Sequence, residues 1–158
     1  MTREEFTQVL DEKGYVYEIS GDKIDIRYGH EVMRGVIRLT ELTELPEGFR
    51  IIFSNPGNVF LESLISLPAR TEFVNWGAID LENLTHVSPG VKFRNTYWVW
   101  LNSLGSIPPG VEFGPNTAPY LKKYSNDCIA QWPINIGGIS FNKLLNKMIS
   151  LGLFDKEK

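Results

Sequence analysis

The chain has 158 residues and a mass of 18.0 kDa, with 42% hydrophobic and 22% charged residues, a formal charge of -3 and a pI near 5.4. That length and balance suit one folded domain with a buried core and exclude a disordered chain. The acidic balance, with no basic cluster beyond Lys122-Lys123, excludes a general nucleic-acid binder.

No apolar run approaches the ~20 residues a membrane helix needs. A single cysteine, Cys128, cannot close an intrachain disulfide. The acidic start Met1-Thr2-Arg3-Glu4-Glu5-Phe6 is unlike a secretory signal. Together these make a reduced cytoplasm the expected compartment, with no membrane and no nucleic acid as partner.

In chain order, Thr2-x-x-Glu5 is a capping-box pattern, Phe6, Val9 and Leu10 share one helical face, and Gly14 stops the helix. Tyr15-x-Tyr17-x-Ile19 and Ile24-x-Ile26-x-Tyr28 alternate around Ser20-Gly21-Asp22 and predict a hairpin. Residues 1–28 are thus expected to form an N-terminal helix–hairpin cap.

Residues 29–121 carry a repeat. Phe53, Phe73, Phe93 and Phe113 stand twenty apart, as do Asn55, Asn75 and Asn95, and Leu61, Leu81, Leu101 and Leu121. Leu64, Leu84 and Leu104 keep the same step, followed by Leu67, Val87 and Ile107 and then by turns such as Val87-Ser88-Pro89-Gly90. An earlier copy, Leu39, Leu42, Leu45 with Pro46-Glu47-Gly48, lies twenty-two residues ahead of its successor, and a bulge or wider corner in Arg50-Ile51-Ile52 would absorb the excess.

The alternation in Val59-Phe60-Leu61, Ile79-Asp80-Leu81 and Val99-Trp100-Leu101 predicts a strand, and Val91-Lys92-Phe93 and its equivalents predict a second. The unit is therefore expected to be a two-strand coil. Stacked coils would share an inward column that includes Leu61, Leu81 and Leu101, because one unit cannot bury its apolar face alone. Asn55, Asn75 and Asn95 are read as structural, their amides serving inward-facing backbone groups at a corner.

After the repeats, 122–158 reads as a loop from Tyr124 to Gly138 and a C-terminal helix, with Ser140 as N-cap and an apolar face of Phe141, Leu144, Leu145, Met148 and Leu151. The fold class expected is mainly β: a short-repeat solenoid with a helix–hairpin cap in front and a helical cap behind.

The pattern Leu-x-x-Leu-x-x-Leu/Ile-Pro-x-Gly-Val-x-Phe, over residues 36–121, resembles the leucine-rich repeat superfamily, nearest to its short BspA-like form. Similar twenty-residue units occur in small repeat proteins of tailed phages and bacteria. The pattern departs from the usual leucine-rich spacing and has no helical segment per unit, which favours a compact β coil over a horseshoe. The resemblance implies protein–protein binding, with the host cytoplasm as compartment for a phage-encoded chain, and implies no catalytic centre.

Catalytic motifs do not emerge from the residues. His30 and His86 lack a second ligand at metal spacing, and Gly137-Gly138 lacks the Lys-Ser/Thr of a phosphate loop. No catalytic residue, metal or cofactor is therefore expected. The departure from the repeat is aromatic. Phe60, Asp80, Trp100 and Tyr120 share one outward slot, Trp98 occupies a second, and Trp76 and Tyr97 stand in the preceding corners.

Surface aromatics make effective interface anchors; cover by a terminal segment would instead place them in the core. The function expected is a non-catalytic scaffold that binds another protein or a second copy of itself. The alternatives are a structural component of a virion or other assembly, and a carbohydrate-binding module.

Overall fold

The computed structural model describes residues 1–29, 35–105 and 107–121, together with two short strands at 135–136 and 139–140. Helix α1 (Arg3–Glu12) starts where the capping box closes: the Thr2 hydroxyl accepts from the Glu5 N–H (3.1 Å) and the Glu5 carboxylate accepts from the Thr2 N–H (2.7 Å). Phe6 and Leu10 are fully buried beneath it, and Gly14 ends it at a φ of 71°.

Strands β1 (Tyr15–Ser20) and β2 (Lys23–Gly29) form the expected hairpin around Gly21-Asp22, with Gly21 at a φ of 62°. The Tyr17 hydroxyl donates to Asp11 Oδ1 (2.9 Å) and joins hairpin to helix.

The repeat then follows as a series of short strands. These are β3 (Ile37–Arg38), β4 (Arg50–Phe53), β5 (Val59–Phe60), β6 (Ser66–Leu67), β7 (Glu72–Phe73), β8 (Ile79–Asp80) and β9 (His86–Val87). After them come β10 (Lys92–Phe93), β11 (Trp98–Leu101), β12 (Glu112–Phe113) and β13 (Ala118–Leu121). Stacked in parallel, they form a mainly β solenoid of about four coils among the described residues.

The coil has three faces where the repeat predicts two. The first runs β1-β2-β4-β7-β10-β12, the second β13-β11-β8-β5-β3, and the third is the pair β6-β9. The third face escapes the sequence pattern because two residues are too short to show alternation. Its one inward position, Leu67 or Val87, instead continues the three-residue spacing of leucines.

The hairpin is also more than a lid. Strand β2 pairs in parallel with β4, setting Ile24 beside Ile51 and Ile26 beside Phe53 as the first rung of the first sheet. The two extra residues of the early copy, Arg50 and Ile51, are absorbed here. They lengthen β4 along β2, with no bulge recorded in that pairing.

The core is a set of columns that repeat with the coil. Phe53, Phe73, Phe93 and Phe113 stack with centroid spacings of 5.0, 5.3 and 5.1 Å and near-parallel rings. Beside them lie Leu61, Leu81 and Leu101, Leu64, Leu84 and Leu104, and Val59, Ile79 and Val99, all buried. At the far edge of the second face Pro119 takes the register of Val99. The Ala118 N–H donates to Tyr97 O, so the N–H that Pro119 lacks would have pointed away from β11, and this edge is blunted.

The Pro-x-Gly corner requires a left-handed residue: Gly48, Gly90 and Gly110 have φ of 82°, 96° and 96°. Arg70 occupies the same position at φ 69°, the one non-glycine with positive φ among the described residues. Such a residue carries about 1–2 kcal/mol of strain, and its ion pair with Asp22 (2.6 Å) joins two half-exposed side chains, where the gain is small. Arg70→Gly is therefore expected to raise stability by about 0.5–1 kcal/mol in urea unfolding, with part of the relief offset by the greater freedom of glycine in the unfolded chain. A loss of stability would show that the ion pair outweighs the strain.

Farther on, β14 (Asn135–Ile136) pairs antiparallel with β15 (Ile139–Ser140). This places two short strands in the region read as a loop and a helix start. The expected helix beyond Ser140, Lys122-Lys123, His30 and Cys128 lie outside the described residues.

Candidate interaction face

Each coil turns from the first face to the second at the asparagine corner. Asn55, Asn75 and Asn95 are fully buried there. The Asn75 amide donates to the carbonyls of Gly57 (3.0 Å), Gly77 (3.3 Å) and Ala78 (3.5 Å); that of Asn95 donates to Gly77 (3.0 Å), Tyr97 (3.0 Å) and Trp98 (3.3 Å). Asn55 likewise reaches Gly35, Gly57 and Asn58. Each corner carbonyl of Gly57 and Gly77 thus bridges two asparagines on successive coils.

The geometry works because the coils come unusually close. A Cβ on Gly57 would lie 2.5 Å from Gly35 O, and one on Gly77 would lie 2.5 Å from Asn58 Oδ1. The asparagine row is part of the wall, with its amide N–H groups engaged inside the coil and its Oδ1 atoms buried without a hydrogen-bond partner among the described residues.

From that corner the chain enters the second face, whose backbone register decides which side chains stand together. Phe60 pairs with Asp80, Asp80 with Trp100, and Trp100 with Tyr120 on successive rungs. Arg38 precedes them, opposite Phe60. Since Val59, Ile79, Val99, Leu61, Leu81 and Leu101 are buried, the intervening residues point outward.

Phe60, Asp80, Trp98 and Trp100 are each half-buried. Trp98 and Trp100 lie two apart on β11 and emerge on the same side. Trp76 and Tyr97 stand on the neighbouring corner and are 74% and 59% exposed. The Tyr120 backbone extends the ladder by one rung, and its side chain is outside the described set.

The electrostatics of the face centre on Asp80. Burial, aided by the nearby carboxylates of Glu82 and Glu62, pushes its carboxyl above the usual range, against a hydrogen bond from the Glu82 N–H (3.1 Å). Phe60 is covered on one side by the Arg38 guanidinium, 4.2 Å from the ring centroid. Arg38 went unnoticed in the sequence because it belongs to the irregular first copy; only the register Arg38↔Phe60 shows it to be part of the row.

Away from this row, a cleft of about 340 Å³ lies beside the third face between Met1, Glu44, Glu47, Ser66, His86 and Ser88. The Met1 ammonium is paired with Glu44 within it. Among the described residues no three His, Cys, Asp or Glu side chains converge as a metal site. Nor is any described helix long and apolar enough to cross a membrane. Compared with protein-family models, curated proteins and solved structures, the chain gives no match.

Proposed function

We propose that this chain is a non-catalytic binding scaffold that holds another polypeptide against its second face. The observation that carries the reading is the contrast between columns. Inward slots repeat the same residue types from coil to coil, whereas the outward slots change from Asn58, Phe60 and Ala78 to Trp98 and Trp100. Trp98 and Trp100 stand half-buried beside the exposed Trp76 and Tyr97. Large aromatics presented on a rigid sheet lose little side-chain freedom on binding and desolvate well, which is why they recur as interface anchors.

The resemblance of the repeat to short leucine-rich units supports the same reading, and the single cysteine suits a reducing compartment. Self-association through the same face would be a special case of it.

The test is selection of random displayed peptides on the immobilised protein. Selected peptides are expected to bind Trp100→Ala at least about tenfold more weakly, the loss typical of an interface anchor, while circular dichroism shows the variant folded. Equal binding to both proteins would remove the second face as the contact.

A further inference from the structure

Along the ladder of the second face the outward residues read Arg38, Phe60, Asp80, Trp100: a cation, a ring, a carboxylate, a ring. The first step shows what the face does with a cation, since the Arg38 guanidinium lies over Phe60 at 4.2 Å. At the next step there is a carboxylate between two rings and, among the described residues, no cation. Among the described residues, Asp80, Glu62 and Glu82 form no ion pair, while Arg50, Arg70 and Arg94 are paired elsewhere. Glu62 Oε2, beside this step, is shielded from solvent and has no hydrogen-bond partner among those residues.

The dimensions leave room for a cation. Rungs of a sheet are about 4.8 Å apart, so Phe60 and Trp100, two rungs apart, are separated by about 9.6 Å. A planar group held between two ring faces needs roughly 7–8 Å at ordinary van der Waals contact. The gap therefore leaves room for one guanidinium above Asp80, between the side chains of Phe60 and Trp100. There it would meet the carboxylate directly and the ring faces by cation–π attraction. A cation arriving at this point also relieves the crowding of Asp80 by Glu62 and Glu82.

We infer that the Phe60–Asp80–Trp100 step is a recognition site for an arginine side chain of a partner polypeptide. The inference rests on the protein-binding reading above and names the chemistry that the partner must bring. Lysine is the weaker occupant, because an ammonium is a point charge and does not stack as a guanidinium does. The negative charge of the chain, -3, favours approach of such a basic segment.

Two measurements decide it. First, tryptophan fluorescence is followed while N-acetyl-arginine amide is titrated into the full chain, with N-acetyl-citrulline amide, nearly isosteric and uncharged, as comparison. Arginine is expected to bind at least about tenfold more tightly than citrulline. That preference should collapse in Asp80→Asn and persist in Glu112→Gln, a carboxylate on the first face. Equal responses to the two amides, or a preference unchanged in Asp80→Asn, would overturn the site. The comparison of amides on the unaltered chain stands even where a variant folds poorly.

Second, the peptides selected as above are sequenced, and enrichment in arginine is expected. Peptides that depend on Trp100 but carry no cation would defeat this inference and leave the binding face standing. Failure to select any Trp100-dependent peptide would remove both.

Discussion

Truncating Phe93 to alanine is expected to lower the free energy of unfolding by about 3–5 kcal/mol, the range for a large aromatic cut from a packed core. Phe93 is fully buried between Phe73 and Phe113, with centroids 5.3 and 5.1 Å away and rings inclined by 3° and 11°. Two ring contacts are lost at once, each contributing about 0.5–1.5 kcal/mol beyond area burial.

The void also resists closing. Main-chain bonds hold its rungs apart: Arg94 N–H to Phe73 O (2.7 Å), Glu112 N–H to Val91 O (3.1 Å) and Gly114 N–H to Phe93 O (2.6 Å). A column clamped in this way cannot collapse onto the gap, which puts the cost at the upper part of the range. Urea unfolding with an unchanged slope should show it. Phe93→Leu, which keeps most of the volume but loses both ring contacts, is expected to cost less than Phe93→Ala.

The second large effect is expected from one of the smallest changes, Asn75→Asp. Simple removal of the side chain is mild, because Gly57 O and Gly77 O each keep a second amide, from Asn55 and Asn95 respectively. Replacing the amide by a carboxylate is different. The Asn75 nitrogen faces three carbonyl oxygens at 3.0, 3.3 and 3.5 Å in a fully buried site, and a carboxylate there would present negative charge to their negative ends. An uncompensated buried charge costs about 3–5 kcal/mol at neutral pH.

The sign with pH follows from linkage. Burial without donors raises the folded pKa of the new aspartate above its unfolded value of about 3.9. The variant is then closest to the parent below that value and loses stability as pH rises towards the folded pKa, beyond which the deficit levels off. Measured between pH 4 and 7, the gap between the two proteins should widen with pH. A gap that stays constant would show that the corner admits water to the carboxylate.

Much of this fold was legible in the residues, and the reason is physical. A period of twenty in Phe, Asn and Leu can persist only where each coil meets the next in the same register, so the inward columns were readable directly. The capping box, the hairpin and the Pro-x-Gly corners were legible too, because local hydrogen bonds and backbone angles decide them.

Features decided at long range were not. Nothing local in Ile24-Asp25-Ile26 says that it will join Ile51, Ile52 and Phe53 as the first rung. The third face is too short to leave a pattern, and Arg70 in place of a corner glycine violates the rule that would have found it.

The outward row was partly visible. Phe60, Asp80 and Trp100 could be aligned by period alone, whereas the place of Arg38 over Phe60 depends on a first copy whose spacing differs by two residues. It is that contact which turns a list of outward aromatics into a statement about chemistry. A stack of coils supplies a rigid ladder, and changing one rung changes what the ladder holds without disturbing the column behind it.

The division between inward scaffold and outward contact is tested most directly by the urea unfolding free energy of Trp100→Ala measured beside that of Phe93→Ala. The half-buried Trp100 is expected to cost less than about 2 kcal/mol, below half the loss at Phe93. A loss at Trp100 equal to that at Phe93 would make it a core residue and leave the second face without its anchor.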